Sequence, residues 1–333
     1  MKFIDFVNSF PDKPWKWILI SMNPSITFQD ILDHPTKPWS WKFISQNPNI
    51  TIQIILAHPD KSWNWYWISQ NSGISFQDIL DHPHNPWDWN AISLNPNLTM
   101  KDVLTHPEKP WNWRLFSKNP NITIQDILDL IHSGNLDNLD NLDNLVNPWS
   151  WQDWHTISLN PRVTMQDILD NPDKPWSWSW ISQNSGITMQ DILDHPERPW
   201  VWSEVSQNPN LTMKDILTHP DESWHWYWIS MNPGITLQDI MDNLDKPWNW
   251  SKVSNNPNLT MQFILDYPDK PWDWSSISYH ANITIHDILT NPDKPWCWYL
   301  IPMNPFRLNT TRDIYSSKMN TVHDMTCPFT GML

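Results

Sequence analysis

Six histidines occupy one position of a recurring pattern: His34, His58, His82, His106, His195 and His219. A column of imidazoles is raw material for a metal centre. Zinc needs its donors within about 2 Å of one ion, whereas side chains in successive stacked helical units lie about 10 Å apart. Each of these histidines precedes a proline, where a helix must stop, and a histidine suits the negative end of a helix dipole. They read as helix terminators. A second column, Asp30, Asp78, Asp102 and Asp126, offers carboxylates for acid–base work. Each follows a Thr or Ser by three residues, the spacing of a capping box with Asp in place of Glu, and Ile54 and Phe263 stand in the same place in other copies. Capping is therefore the expected role. Ser45 and its equivalents have no partner base at a motif spacing, and there is no nucleophile elbow or glycine-rich phosphate loop. Asp137, Asp140 and Asp143 lack the glycine and terminal glutamate of a calcium loop. The sequons at Asn49 and Asn121 arise where a loop and a Thr cap happen to adjoin. No catalytic residue, metal or cofactor is expected.

The elements that carry these columns are short and repeated. The first tryptophan of a Trp-x-Trp pair falls at 15, 39, 63, 87, 111, 149, 176, 200, 224, 248, 272 and 296. The step is 24 residues except for 14 extra residues after Trp111 and three extra near Trp154. Proline, as at Pro38, opens a first helix at a position where its missing N–H costs nothing. Asn-Pro, as at Asn47-Pro48, stops it. Thr27, Thr51, Thr99, Thr123, Thr188, Thr212 and Thr260 are the expected N-caps of a second helix, whose apolar stripe runs Phe28, Ile31, Leu32 and equivalents. Helices this short do not stand alone in water, so stacking must hold them. A buried tryptophan removes roughly 150–250 Å² from water, on the order of 4–6 kcal/mol. Trp15, Trp17, Trp39, Trp41, Trp63, Trp65, Trp87, Trp89, Trp111, Trp113, Trp200, Trp202, Trp248, Trp250, Trp272 and Trp274 are accordingly expected in the core.

The fold class expected is all-α: an α-solenoid of about twelve 24-residue helix-turn-helix repeats, drawn out as a rod or arc on the order of 100 Å long. Residues 1–13 supply half a repeat, expected as an N-terminal cap. Residues 14–305 form the solenoid, with a low-complexity insert at about 131–147, and 306–333 form a degenerate cap and tail.

Composition narrows the function. The chain of 333 residues has net charge −15, and no run of lysine or arginine, so nucleic acid is not an expected partner. No apolar stretch is long enough to span a membrane and the N-terminus lacks a signal-peptide core. The two cysteines, Cys297 and Cys327, suit a reducing compartment. What varies between copies is the residue between the two tryptophans and the residue two after the second. Trp67, Trp180, Trp228, Glu204 and Lys252 belong to the latter set and are the candidate partner-binding residues.

The unit Asn-Pro-Asn-Ile/Leu-Thr-x-x-Asp-Ile-Leu-x-x-Pro-Asp-Lys-Pro-Trp-x-Trp-x-x-Ile/Val-Ser, plain at Asn49–Ser69 and Asn258–Ser278, resembles the tryptophan-rich tandem repeats of uncharacterised proteins from giant, amoeba-infecting, mimivirus-like viruses. That resemblance implies an origin, and with it a place in the host cytoplasm or the virion. It brings no activity, substrate or catalytic residue. The expectation is a non-enzymatic scaffold for a host or viral protein, or alternatively a structural component of the virus particle.

Overall fold

The computed structural model describes residues 1–116, 119, 121–123, 125, 126 and 151–306 of the chain. The low-complexity insert and the segment after 306 lie outside the described residues. Everything described is helix, turn or extended linker, with no strand among the described residues. Each 24-residue unit contributes two short helices. The first starts at the second tryptophan, as in Trp41–Ile44 and Trp65–Ser69, and the second at the residue after the Thr, as in Phe28–Asp33 and Met213–Thr218.

The first helix is thus shorter than expected. Pro38 and Trp39 precede it in extended backbone, and the residue between the tryptophans is its N-cap. Asn64, Asp88 and Asn249 accept the N–H three residues on, and Asp273 also accepts one two residues on. This position varies in side chain but not in backbone duty, because its own N–H donates to a buried serine of the preceding unit. Ser40 N–H to Ser21 Oγ, 3.0 Å, and Asn64 N–H to Ser45 Oγ, 2.9 Å, are two of ten such bonds.

The second helix is capped as expected in most copies. Thr27, Thr99, Thr188 and Thr212 close full capping boxes with Asp30, Asp102, Asp191 and Asp215. Thr123 exchanges the same bonds with Asp126. Thr260 keeps the one-way bond to the Phe263 N–H. Thr51 does not cap with its side chain; Ile54 three residues on offers no carboxylate to close the box. The aliphatic stripe is narrower than expected too. Ile31 is buried, while Leu32 and its equivalents Leu56, Leu104, Leu217 and Leu289 point outward at 40–52 % exposure.

The core is a set of isoleucine-rich columns that run from unit to unit. Ile20, Ile44, Ile68 and Ile92 form one column, and Ile26, Ile50, Ile74 and Leu98 another, all at 0–1 % exposure. The tryptophans border these columns rather than fill them. Trp111 and Trp248 are buried, and most of the others expected in the core are half-buried against it. The Trp113 side chain lies outside the described residues. The second tryptophan of one unit meets the first of the next edge to face, at 4.9–5.6 Å between centroids and 78–89° between planes, in eleven described pairs. The three extra residues near Trp154 resolve here: Trp154, not Trp151, pairs with Trp176. The first tryptophan also donates its indole N–H to the carbonyl five residues back, as Trp39 does to His34 at 2.8 Å. The lysine of Asp-Lys-Pro then lies over the preceding unit's second tryptophan, as Lys174 over Trp154 and Lys270 over Trp250.

The solenoid is neither a rod nor an open arc; it closes into a ring. The asparagine of each Asn-Pro or Asn-Ser turn is buried and donates its amide to the asparagine carbonyl of the previous unit: Asn47 to Asn23 at 2.9 Å, Asn71 to Asn47 at 2.9 Å, and onward. The column crosses the insert, Asn160 to Asn119 at 3.5 Å. His280 takes one place in it, Nε2 toward the Asn256 carbonyl at 2.9 Å, with Asn282 N–H donating to its Nδ1, so the imidazole reproduces both bonds of an asparagine. Asn304 bonds the His280 carbonyl, and Asn23 bonds the Asn304 carbonyl, each at 2.8 Å. Twelve links make the circle.

Closure explains residues 1–13 and 296–306. Residues 1–13 do not cap a free end. They are the second half of unit 12, whose first half is Trp296–Phe306. Phe3 packs on Phe306 at 4.8 Å, Phe6 and Phe10 pack on Trp298, and Trp298 meets Trp15 at 5.6 Å and 83° in the same pairing as every other junction. Lys13 lies over Trp298 at 4.5 Å. The Lys2 ammonium reaches the Asp30 carboxylate at 3.0 Å. Burial favours the neutral form of Asp30, but the Thr27 hydroxyl and amide and the Lys2 ammonium outweigh it and hold this carboxyl below its ordinary value. Only the serine bond is missing at the seam, because Pro302 stands where other units have Ser.

In a ring, elements at smaller radius sit closer together. The densest backbone contacts between units all join neighbouring first helices, including Trp17–Met22 to Ile301–Met303 across the seam. The first helices therefore form the inner wall and the second helices the outer wall. Charge divides along the same line. The eleven described second helices hold fifteen aspartates against two lysines, whereas the twelve first-helix elements hold Lys42, Arg114 and Lys252 against Asp153 and Glu204. The outer wall is acidic and the inner wall nearly neutral.

Candidate functional site: the inner wall of the ring

Twelve first helices side by side at about 8–10 Å, each about 10–12 Å thick, enclose an opening roughly 20–25 Å across. Along a first helix, the residue facing the core is the fourth after the N-cap, as Ile20 after Lys16 and Ile44 after Ser40. Residues two before and two after it lie about 200° round the helix, so they face the opening. Ile18, Tyr66, Tyr299 and Met303 occupy these places at 40–45 % exposure.

The candidate partner-binding residues precede the core residue by one and sit on the flank between neighbouring first helices, all half-buried. They engage their neighbours. Glu204 accepts the side-chain amides of Gln183, at 3.1 Å, and Gln207. Lys252 lies over the Tyr227 ring at 4.7 Å. Trp228 packs on Tyr227 and His225. Trp67 packs on Tyr66. Trp180 donates its indole N–H to His155 Nε2. Trp180, Glu204, Trp228 and Lys252 follow one another in units 7 to 10, while Trp67 stands apart in unit 3.

Gln46 and Gln70 were not singled out by spacing, yet their side-chain amide nitrogens are buried without a hydrogen-bond partner. The signal that could have found them is a polar residue at a position where other copies carry Leu94, Leu159 or Met231.

The histidine column lies elsewhere. His34, His58, His82, His106, His195 and His219 are the C-cap residues of second helices. His34, His106 and His219 direct Nδ1 at the carbonyl four residues back, at 2.9–3.0 Å, and Asn171, Asn243 and Asn291 make the same bond from the same place. The aspartate column serves the capping boxes. Among the described residues no three His, Cys, Asp or Glu side chains converge as metal ligands, and no helix is long and apolar enough to cross a membrane. What the wall offers is a circle of aromatic, aliphatic, amide and hydroxyl groups.

No protein-family model matches the chain. No curated protein and no solved structure matches it either.

Proposed function

We propose that this chain is a non-enzymatic protein-binding ring whose inner wall receives a polypeptide partner. One observation carries the reading: the columns that hold the ring together are nearly invariant from unit to unit, while the inner-wall positions vary widely in size, polarity and charge. Asn47, Ser45 and Trp41 have close equivalents around the ring, whereas the flank position runs Leu19, Phe43, Trp67, Ala91 and onward to Glu204 and Lys252. A wall that only packed against itself would have no reason to diversify. In keeping with the resemblance to giant-virus repeat proteins, the partner is sought among host and viral proteins of the infected cell. Nucleic acid fits poorly, because the chain carries −15 and its outer wall repels phosphate.

The test is an affinity pull-down from infected amoeba lysate, read by mass spectrometry, beside a variant scrambled at Trp67, Trp180, Glu204, Trp228 and Lys252. A partner lost only with the scrambled variant supports the reading. Capsid proteins alone, retained by both, would favour a structural component of the particle.

A further inference from the structure

We propose that the inner wall of units 12, 1, 2 and 3 is the docking site for an acidic amphipathic polypeptide segment; this rests on the protein-binding reading above. Three observations converge on that arc.

The first is apolar exposure. Among the described residues, the large apolar residues of the first helices, and of the turn leading into Ile301–Met303, exposed beyond a third are Ile18, Tyr66, Tyr299 and Met303, and all four lie in this arc. They are joined by half-buried Leu19, Phe43 and Trp67. Elsewhere round the wall the corresponding places carry Ser179, Ser203, Ser251 and Ser275, and the tyrosine found there, Tyr227, is half-buried beneath Lys252.

The second is charge. Residues 297–303, 16–22, 40–46 and 64–70 contain Lys16 and Lys42 and no carboxylate. Lys16 lies over Tyr299 at 4.8 Å and Lys42 over Phe43 at 5.7 Å, which places both cations beside the apolar patch. The fifteen aspartates of the outer helices stand about 10 Å further out, beyond a screening length of about 8 Å at physiological salt.

The third is an internal precedent. Glu204 receives the amides of Gln183, 21 residues before it, and Gln207, three after it. Gln46 and Gln70 stand at the same two spacings from Trp67, and Trp67 has no acceptor to offer them. The unmet groups here are donors, and the fold itself satisfies the same pair with a carboxylate elsewhere. A carboxylate brought by a partner would play the part of Glu204, while the partner's apolar face covers Ile18, Tyr66, Tyr299 and Met303. A helix about 10–12 Å thick fits the opening.

The probe is a fluorescein-labelled 18-residue peptide of Leu, Ala and Glu at helical amphipathic spacing, titrated with the full chain and followed by anisotropy. Its companion has Gln in place of every Glu. The acidic peptide is expected to bind saturably and at least about tenfold more tightly than the Gln peptide, since hydrogen bonds to a carboxylate are the stronger ones. Trp67→Glu places the Glu204 arrangement in units 2 and 3, satisfies both glutamines internally and keeps the fold. It is expected to retain the helical circular dichroism and melting of the parent and to lose about tenfold or more in affinity for the acidic peptide. Equal affinity for both peptides, or for parent and Trp67→Glu, overturns the proposal. Binding abolished by Trp228→Ser and Lys252→Ser but not by Ile18→Ser and Tyr66→Ser also overturns it, while leaving a protein-binding ring in place.

Discussion

Phe6 is the keystone of the seam. Its side chain is fully buried and touches Trp298, Phe10 and Trp15, at 6.1, 5.2 and 5.9 Å between centroids. It stands at a place filled by aspartate in most units and by Phe263 in one, where that ring meets Tyr267 and Trp272 as Phe6 meets Phe10 and Trp15; at the seam Phe6 also stacks on Trp298. Phe6→Ala removes a buried aromatic and leaves a cavity, a loss of about 3–5 kcal/mol. At 1.4 kcal/mol per decade, the equilibrium between closed and open ring falls by roughly two to three orders of magnitude. Energy transfer reads this directly. Dyes on Thr36→Cys and Asp293→Cys, with Cys297→Ser and Cys327→Ser, occupy exposed loops two units apart across the seam, about 20 Å apart in the closed ring, and both survive removal of residues 1–13. High transfer is expected in the parent and a marked drop in Phe6→Ala, with most helical signal retained. The control is Ile229→Ala in unit 9, equally buried and costing about 2–5 kcal/mol. It should lower stability without separating the dyes. A chain lacking residues 1–13 should open fully and recover transfer when that segment is supplied as a peptide. If transfer stays high both in Phe6→Ala and in the truncated chain, closure by this segment is refuted.

Asn208→Ala removes amide bonds to the carbonyls of Ser182, Asn184 and Ile187 at 3.0–3.2 Å. The buried carbonyls it leaves make a loss of about 2–3 kcal/mol the expected result in chemical denaturation. His280→Asn should be near neutral in the same assay, since it restores the column, whereas His280→Leu should cost about 2 kcal/mol or more by orphaning the Asn256 carbonyl and Asn282 N–H. Gly186→Ala should destabilise the junction of units 6 and 7, because a Cβ there would stand 2.0 Å from the Val163 carbonyl oxygen; a melting temperature equal to the parent's would contradict this close approach. Asp30 is held below its ordinary value when folded, so its ionised form stabilises the native state. The stability gap between parent and Asp30→Asn should be constant at neutral pH and shrink only below about pH 4, as the carboxyl takes up its proton; a gap that closes at higher pH would refute the depressed value.

The local grammar of the unit was legible because its causes are local. Thr27 caps within three residues, proline excludes helix at the residue before it, and Trp39 reaches back five residues to its carbonyl. The ring was not legible, because curvature comes from small rotations at each junction, set by pairs such as Asn47 and Asn23 that a stop signal alone could account for. Asn47 and Ser45 were read as helix endings and turned out to bind one unit to the next. Residues 1–13 read alone as a cap. Together with Trp296–Phe306 they spell one complete unit, and Pro302, standing where other units have Ser, marks where it is joined. The sites were legible as positions but not as arcs: Trp67 and Glu204 share a place in the unit, and only the neighbouring glutamines distinguish what each does for its surroundings.

A closed circle of asparagine links makes repeat number a discrete quantity. Twelve units share a full turn at about 30° each. An open solenoid accepts another unit at either end without disturbing the rest. Here a thirteenth would require every junction to give up about 2° at once, and a lost unit would ask for a similar change of opposite sign. Growth and decay of the gene by whole units must therefore pass through strained or open rings. Length changes within loops escape this constraint. The 14 residues gained after Trp111 and the three gained near Trp154 leave the Asn160 to Asn119 link in place. Geometry thus sorts insertions before function does.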